Sequence, residues 1–152
     1  MIAHINIGSN LGRRAELISR AVSLLDPLVG SVLAVSQPVE TEAEGFSSEN
    51  LFLNVGVNVE TTLAPKEIIS RLQQIERMVD ADVCHRTAAG NYCDRTIDLD
   101  LICLGNLVCS SPEATLPHPR MARRRFVLVP MAEILPGWTH PQLKLTPQQL
   151  LS

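Results

Sequence analysis

No run of about 20 consecutive apolar residues occurs in this chain, so no membrane-spanning helix is expected. Its start lacks a basic segment followed by a long apolar run, so no secretory signal is expected either. Cysteine is sparse: Cys84, Cys93, Cys103 and Cys109 lie at spacings without a Cys-x-x-Cys, and only His85 adjoins one of them. That is a poor frame for zinc, and reduced thiols in a cytoplasmic protein are the expectation. Positive charge is not in excess. The 13 Lys and Arg against 16 Asp and Glu leave a net charge of −3, which argues against broad nucleic-acid binding by bulk electrostatics. Neither an internal repeat nor a linker is visible, and 152 residues suit a single domain over 1–152 with no room for a second. With 45% apolar residues, that domain has a real core.

Periodicity then gives an order of elements. Residues 2–7 read as a strand, ended by the turn-forming Gly8-Ser9-Asn10. Residues 14–25 carry apolar positions at helical spacing, closed by Asp26-Pro27. A Val-rich strand is predicted over 31–39, a polar loop over 40–50, and a third strand over 51–60 with Phe52, Asn54 and Gly56 on one face. Pro65 opens a helix that runs through Val79 and has Glu76 near its end. Residues 80–94 lack any period, a long loop for a small domain. A strand follows, then a Gly105-Asn106 hairpin turn into 107–109. A helix is predicted around 121–135. Thr146-Pro147-Gln148-Gln149 reads as an N-cap with a capping-box Gln. The pattern suits an α+β sandwich: an antiparallel sheet with helices packed on it.

The segment Arg95-Thr96-Ile97-Asp98-Leu99-Asp100-Leu101 carries the chemistry. Ile97, Leu99, Leu101 and Cys103 alternate with the other positions, and Cys103 is expected on the core side. Asp98 and Asp100 therefore share the other face, with Cα atoms roughly 6.5–7 Å apart. Two such carboxylates repel and are costly to bury unpaired. A pair of Mg²⁺ ions, about 3.5–4 Å apart, fits between them. A solvated strand face or an ion pair with Arg95 are the plainer alternatives. Arg120, Arg123, Arg124 and Arg125 form a local basic cluster, either a solvated helix face or a phosphate clamp.

Residues 95–105 resemble the signature strand of the 6-hydroxymethyl-7,8-dihydropterin pyrophosphokinases of the folate pathway. Ile7-Gly8-Ser9-Asn10-Leu11-Gly12 is similar to that family's first strand end and turn, and Phe52-Leu53-Asn54 to its pterin-pocket segment. Leu116-Pro117-His118-Pro119-Arg120 and the Arg124-Arg125-Phe126 run are similar to its late segments. Four matches in the correct order are far more specific than any one. The resemblance implies a ferredoxin-like core. It also implies transfer of pyrophosphate from ATP to 6-hydroxymethyl-7,8-dihydropterin, releasing AMP.

The roles it implies fall on named residues. Asp98 and Asp100 hold two Mg²⁺ ions, one carboxylate also lying near the substrate hydroxyl. Arg95, Arg86, His118 and Arg124 meet phosphate oxygens, and Glu76 lies near the nucleotide. Aromatics are scarce: Phe46, Phe52, Tyr92, Phe126 and Trp138 are all of them. Phe52 and Phe126 match the rings that sandwich the pterin, Asn54 and Thr41 line its pocket, and Tyr92 stands where the family has Trp. Each has a plainer reading: a turn histidine, core phenylalanines, a surface glutamate. Between Glu76 and Arg95 the family's Gly-Arg pair is absent, Asp80 and Asp82 have appeared, and Asp94 replaces a common Pro. A non-catalytic pterin- or nucleotide-binding paralogue is therefore the alternative.

Overall fold

The computed structural model describes residues 1–9, 14–41, 52–84 and 97–152, with only the backbone of 82–84. Of the loops predicted over 40–50 and 80–94, residues 42–50 and 85–94 lie outside these residues. The main sheet is antiparallel, with order β2-β4-β1-β5: β1 is Ile2–Ser9, β2 Ser31–Val35, β4 Phe52–Glu60 and β5 Asp98–Leu104, while β3 (Val39–Thr41) also pairs with β4. Helices α1 (Arg14–Leu28) and α2 (Pro65–Cys84) pack on one face. On the other lie a 3₁₀ turn (Met121–Arg123) and α3 (Arg125–Ile134), followed by α4 (Pro147–Leu151). The predicted α+β class holds. Among the described residues, no helix is long and apolar enough to cross a membrane.

Alternation along the strands builds the two faces. Ala3, Ile5 and Ile7 of β1 meet Val55, Val57 and Val59 of β4 in the main core, under Leu17, Ala21 and Leu25 of α1 and Ile68, Leu72, Ile75 and Val79 of α2. His4, Asn6 and Gly8 point the other way, as do Asn54, Gly56 and Asn58. Pairing fixes the rows: Asn54, Gly8 and Asp98 lie across three strands in one, Gly56, Asn6 and Asp100 in the next.

One expectation fails at β5. Ile5 pairs with Leu101 but His4 with Cys103, so Ile102 is an extra residue. This bulge reverses the alternation. Cys103 is fully buried, as expected, but in the second cluster with Met121, Val127, Leu128 and Met131 rather than beside Leu99 and Leu101. Burial pushes its thiol up to about 12, so it is inert.

Element ends differ in physically clear ways. Helix α1 runs past Pro27 to Leu28; so close to its end, proline forgoes one bond, to the carbonyl three turns from the start at Ser23. The predicted strand 31–39 is two strands, broken at Ser36, whose hydroxyl takes the Gly56 N–H at 2.8 Å. Helix α2 continues to Cys84, past the predicted end at Val79, so 80–84 are helical and Glu76 is not at the helix end. Gly105 makes the expected turn, with φ of 55°, but 107–108 do not pair back on β5. Instead β6 (Cys109–Ser110) pairs with β7 (Thr115–Leu116). The single late helix is a 3₁₀ turn and α3, separated by an extended Arg124. Thr146 and Gln149 do form the capping box.

His4 is sealed beneath α3. Asn58 Nδ2 donates to the Ile134 carbonyl at 2.9 Å, which turns its Oδ1 towards His4 Nδ1, also at 2.9 Å. His4 therefore donates from Nδ1, and its buried Nε2 has no partner. Burial lowers its pKa from 6.5 to about 4, against a smaller upward pull from the Asn58 bond. A depressed histidine favours the folded state when neutral. Its contribution is complete above pH 6.5 and is lost as pH falls towards 4, an effect of about 3 kcal/mol. Urea unfolding at pH 7 and pH 4.5 should therefore show wild type losing about 2 kcal/mol more than His4→Gln; equal losses would remove His4 from the acid sensitivity.

Candidate active site

The two aspartates start β5, an edge strand, and both are partly exposed on the face that carries Gly8 and Asn6. The outer edge of β5 is held by α2: Glu76 Oε2 accepts the Leu99 N–H at 2.8 Å. Leu99 stands between the aspartates, so this bond fixes the backbone from which both carboxylates project. Glu76 is only 8% exposed, which removes the surface reading and makes it a support of the site.

Asp98, Asp100, His118, Pro119, Arg120 and Arg124 line a cleft of about 440 Å³. A second cleft, of about 330 Å³, is lined by Gln73, Glu76, Leu99, Ala114 and others, and shares Asp100, His118 and Pro119 with the first. His118 is pinned between them. Its N–H donates to the Ile102 carbonyl at 2.8 Å, and its Nδ1 accepts from the Arg120 N–H at 3.2 Å. The neutral ring thus carries its proton on Nε2. Burial first, then the Arg124 and Arg120 charges, lower its pKa, while Asp100 opposes them. His118 does brace a turn, and it also lines the cleft, so the two readings are compatible.

Arg124, in its extended link, lines the same cleft, and its guanidinium lies 5.4 Å from the centre of the Phe126 ring. Phe126 is half-buried at the rim of the second cluster. Arg123 and Arg125 are exposed, so the basic cluster divides: Arg120 and Arg124 face the cleft, and the other two are solvated.

Beside the aspartates, Gly8 leaves the floor bare. A Cβ there would come 2.7 Å from Asn54 Oδ1 and 3.8 Å from the Phe52 ring, so these side chains converge over the glycine. Asn54 is 3% exposed; its Nδ2 donates to Thr41 Oγ1 at 3.2 Å and its Oδ1 accepts from Asn6 Nδ2 at 3.4 Å. Thr41, Phe52 and Asn54 are thus gathered as expected. Arg86, Tyr92 and Arg95 lie outside the described residues. Asn6 was missed, although its place in the His4, Asn6, Gly8 alternation marked it.

The donor set fits a hard cation. Among the described residues no group of three or more His, Cys, Asp or Glu forms a metal cage. Two carboxylates at an open cleft suit Mg²⁺, which keeps waters and takes phosphate oxygens for its remaining positions.

Known proteins resemble this chain along most of its length. The family model described as 7,8-dihydro-6-hydroxymethylpterin-pyrophosphokinase (HPPK) matches residues 4–136. The 2-amino-4-hydroxy-6-hydroxymethyldihydropteridine pyrophosphokinase of Porphyromonas gingivalis is 39% identical over 143 residues, covering 93% of this chain and 95% of that protein. The protein of the same name from Bacillus subtilis is 37% identical over 134 residues, 88% of this chain and 77% of its own. Among solved structures, Plasmodium falciparum HPPK-DHPS wild type with SDX-DHP superposes with a TM-score of 0.71 at 16% identity, over 98% of this chain and 42% of that one. At that identity the likeness is one of fold, and this chain spans less than half of the solved chain.

The Glu76 bond has a measurable consequence. Glu76→Ala strips the Leu99 N–H of its acceptor and should cost about 1–3 kcal/mol in urea unfolding, with weaker Mg²⁺ binding. Glu76→Gln keeps an acceptor oxygen and should recover most of both. If Glu76→Ala binds Mg²⁺ like wild type, the bond does not position the aspartates.

Proposed function

Since this chain belongs to the 7,8-dihydro-6-hydroxymethylpterin-pyrophosphokinase family and is an ATP-dependent pyrophosphokinase of folate synthesis, we propose that its clefts take ATP and 6-hydroxymethyl-7,8-dihydropterin side by side. The observation that carries this reading is the convergence of Asp98, Asp100, His118 and Arg124 on one cleft, next to the Gly8 floor over which Asn54 and Phe52 meet. We assign the protein as one domain over 1–152, in the cytoplasm, with small-molecule partners and neither nucleic acid nor membrane.

The pterin hydroxymethyl oxygen attacks the β-phosphorus of ATP. The bond from that phosphorus to the oxygen bridging it to the α-phosphorus breaks. AMP leaves, and the hydroxyl proton passes to solvent or a carboxylate. Asp98 and Asp100 would hold two Mg²⁺ ions, which would supply charge neutralisation for the triphosphate. His118 donates from Nε2 to a phosphate oxygen, and a neutral donor suits that task without drawing in Asp100. Arg124 presents a planar fork to the same group, and its other face rests on Phe126. Arg95 and Arg86 are further phosphate-binding cations on the family resemblance. Glu76 sets the strand on which the metal pair stands and borders the nucleotide cleft.

Phe52 and Phe126 sandwich the pterin ring, with stacking added to burial. Asn54 has one amide hydrogen on Thr41 and one carbonyl lone pair on Asn6, leaving a donor and an acceptor for the pterin edge. Tyr92 joins this pterin set on the family resemblance alone.

The test is AMP release from ATP plus the pterin. Turnover should occur in wild type and be lost in Asp98→Ala and Asp100→Ala, with the fold retained. Binding of both ligands without AMP would favour the non-catalytic reading. Activity within about tenfold of wild type in either variant, under roughly 1.4 kcal/mol of barrier, would sink the metal role. Phe126→Ala should weaken pterin binding far more than ATP binding. Equal weakening of both would mark Phe126 as a packing residue.

A further inference from the structure

Two buried acceptors, His4 Nε2 and Asn6 Oδ1, stand on one face of the central strand, and among the described residues neither has a hydrogen-bond partner. Asn58 holds the His4 ring with its proton on Nδ1, so Nε2 presents a lone pair. Asn6 Nδ2 donates to Asn54 Oδ1 at 3.4 Å. Its Oδ1 is therefore on the side of the amide away from Asn54, the side on which His4 lies, since the row of Asn6 stands between those of Asn54 and His4. An unpaired buried acceptor is costly, and two together more so.

The residue of α3 that reaches this point is Pro130. A Cβ on Gly56, directly opposite Asn6, would meet the His4 ring at 2.7 Å and Pro130 at 2.8 Å. Proline has no N–H to give. Residues two apart on a strand have Cα atoms roughly 6.5–7 Å apart. That brings the polar ends of His4 and Asn6 within the span of one water, two hydrogen bonds of about 2.8 Å. Buried waters are held in this way, by polar groups that otherwise lack partners.

We propose that one buried water donates both its hydrogens here, to His4 Nε2 and Asn6 Oδ1, and that through it His4 is a positioning residue for the Asn54 amide. Donation then runs outward from the water along two arms. One passes through His4 and Asn58 to the Ile134 carbonyl, which can only accept. The other passes through Asn6 and Asn54 to Thr41 Oγ1. The carbonyl fixes the direction of the first arm, and so the lone pair that His4 shows the water. Turning Asn6 over would set its amine against the water and leave one water hydrogen with no acceptor. The direction of the second arm is thereby fixed as well. With it is fixed which donor and which acceptor Asn54 keeps for a pterin edge. This positioning role rests on the reading of the clefts given above; the water site does not.

Two measurements on the whole chain test it. In wild type without ligand, NOE spectroscopy should show cross-relaxation between the carbon-bound Hε1 of His4 and water, with the sign of a held rather than a passing molecule. Equilibrium binding of 6-hydroxymethylpterin and of Mg²⁺-ATP is then measured separately. His4→Phe keeps a ring but offers no acceptor. It should weaken pterin binding by at least about fivefold, the lower range of coupling between sites, and ATP binding by less than about twofold. His4→Gln can donate to Asn58 and accept from the water, so it should bind the pterin within about twofold of wild type. Thermal melting checks that both variants fold, and the wild-type spectrum needs neither. Absence of a held water at His4 overturns the proposal. So does wild-type pterin binding by His4→Phe, or equal weakening of both ligands in both variants, which would mark a packing residue. A wild type that binds no pterin overturns the reading of the clefts and the positioning role together, while the water site stands or falls by the spectrum.

Discussion

The site depends on one constraint, the strict alternation of the central strand β1. Ala3, Ile5 and Ile7 are spent on the main core, so the polar positions between them cannot be. They face a second layer, where His4 is sealed by α3 and Gly8 is covered by Asn54 and Phe52. The same rows continue into β4, and those of Asn6 and Gly8 into β5, so polar side chains run across three strands, buried on β1 and β4 and partly exposed at Asp98 and Asp100. The bulge at Ile102 then ends the polar row on β5: beyond it, the same face carries Cys103 and closes into the second apolar cluster. The working surface is thus bounded at one end by a change of parity in a single strand.

Within that surface, opposite charges are separated by structure. The carboxylates come from the sheet, held from its edge by Glu76. The cations come from the opposite wall, from the turn and link ahead of α3.

Much of this was legible because it follows from short-range rules. Period two put Phe52, Asn54 and Gly56 on one face and paired Asp98 with Asp100. The capping box at Thr146 is a local hydrogen-bond pattern and was read correctly. What was not legible depends on partners distant in the chain. Nothing near Ile102 signals an extra residue, because the bulge is defined only against β1. The turn at Gly105 was readable, but its strand partner was not, since Gly105 N–H bonds Ile2 and its carbonyl takes the Trp138 indole. Helix α2 continues through 80–84, where Asp80 and Asp82 obscure an apolar spacing that Val83 resumes four residues after Val79. The plainer surface reading of Glu76 falls only once Leu99 is brought to it, and Asn6 acquires a partner only where the pairing of β1 with β4 sets Asn54 beside it.

Gly56 sits under α3, where an added Cβ would come within 2.8 Å of both the His4 ring and Pro130. Neither neighbour can bend away, one being a buried ring and the other a proline in mid-helix. The helix therefore rests on backbone, and the gap between sheet and helix is fixed at its smallest value. The first turn of that helix carries Phe126, so even one methyl group at position 56 would act as a wedge, tilting the helix and moving that ring. The spacing of sheet and helix is thus cut from below, by a position that carries only hydrogen.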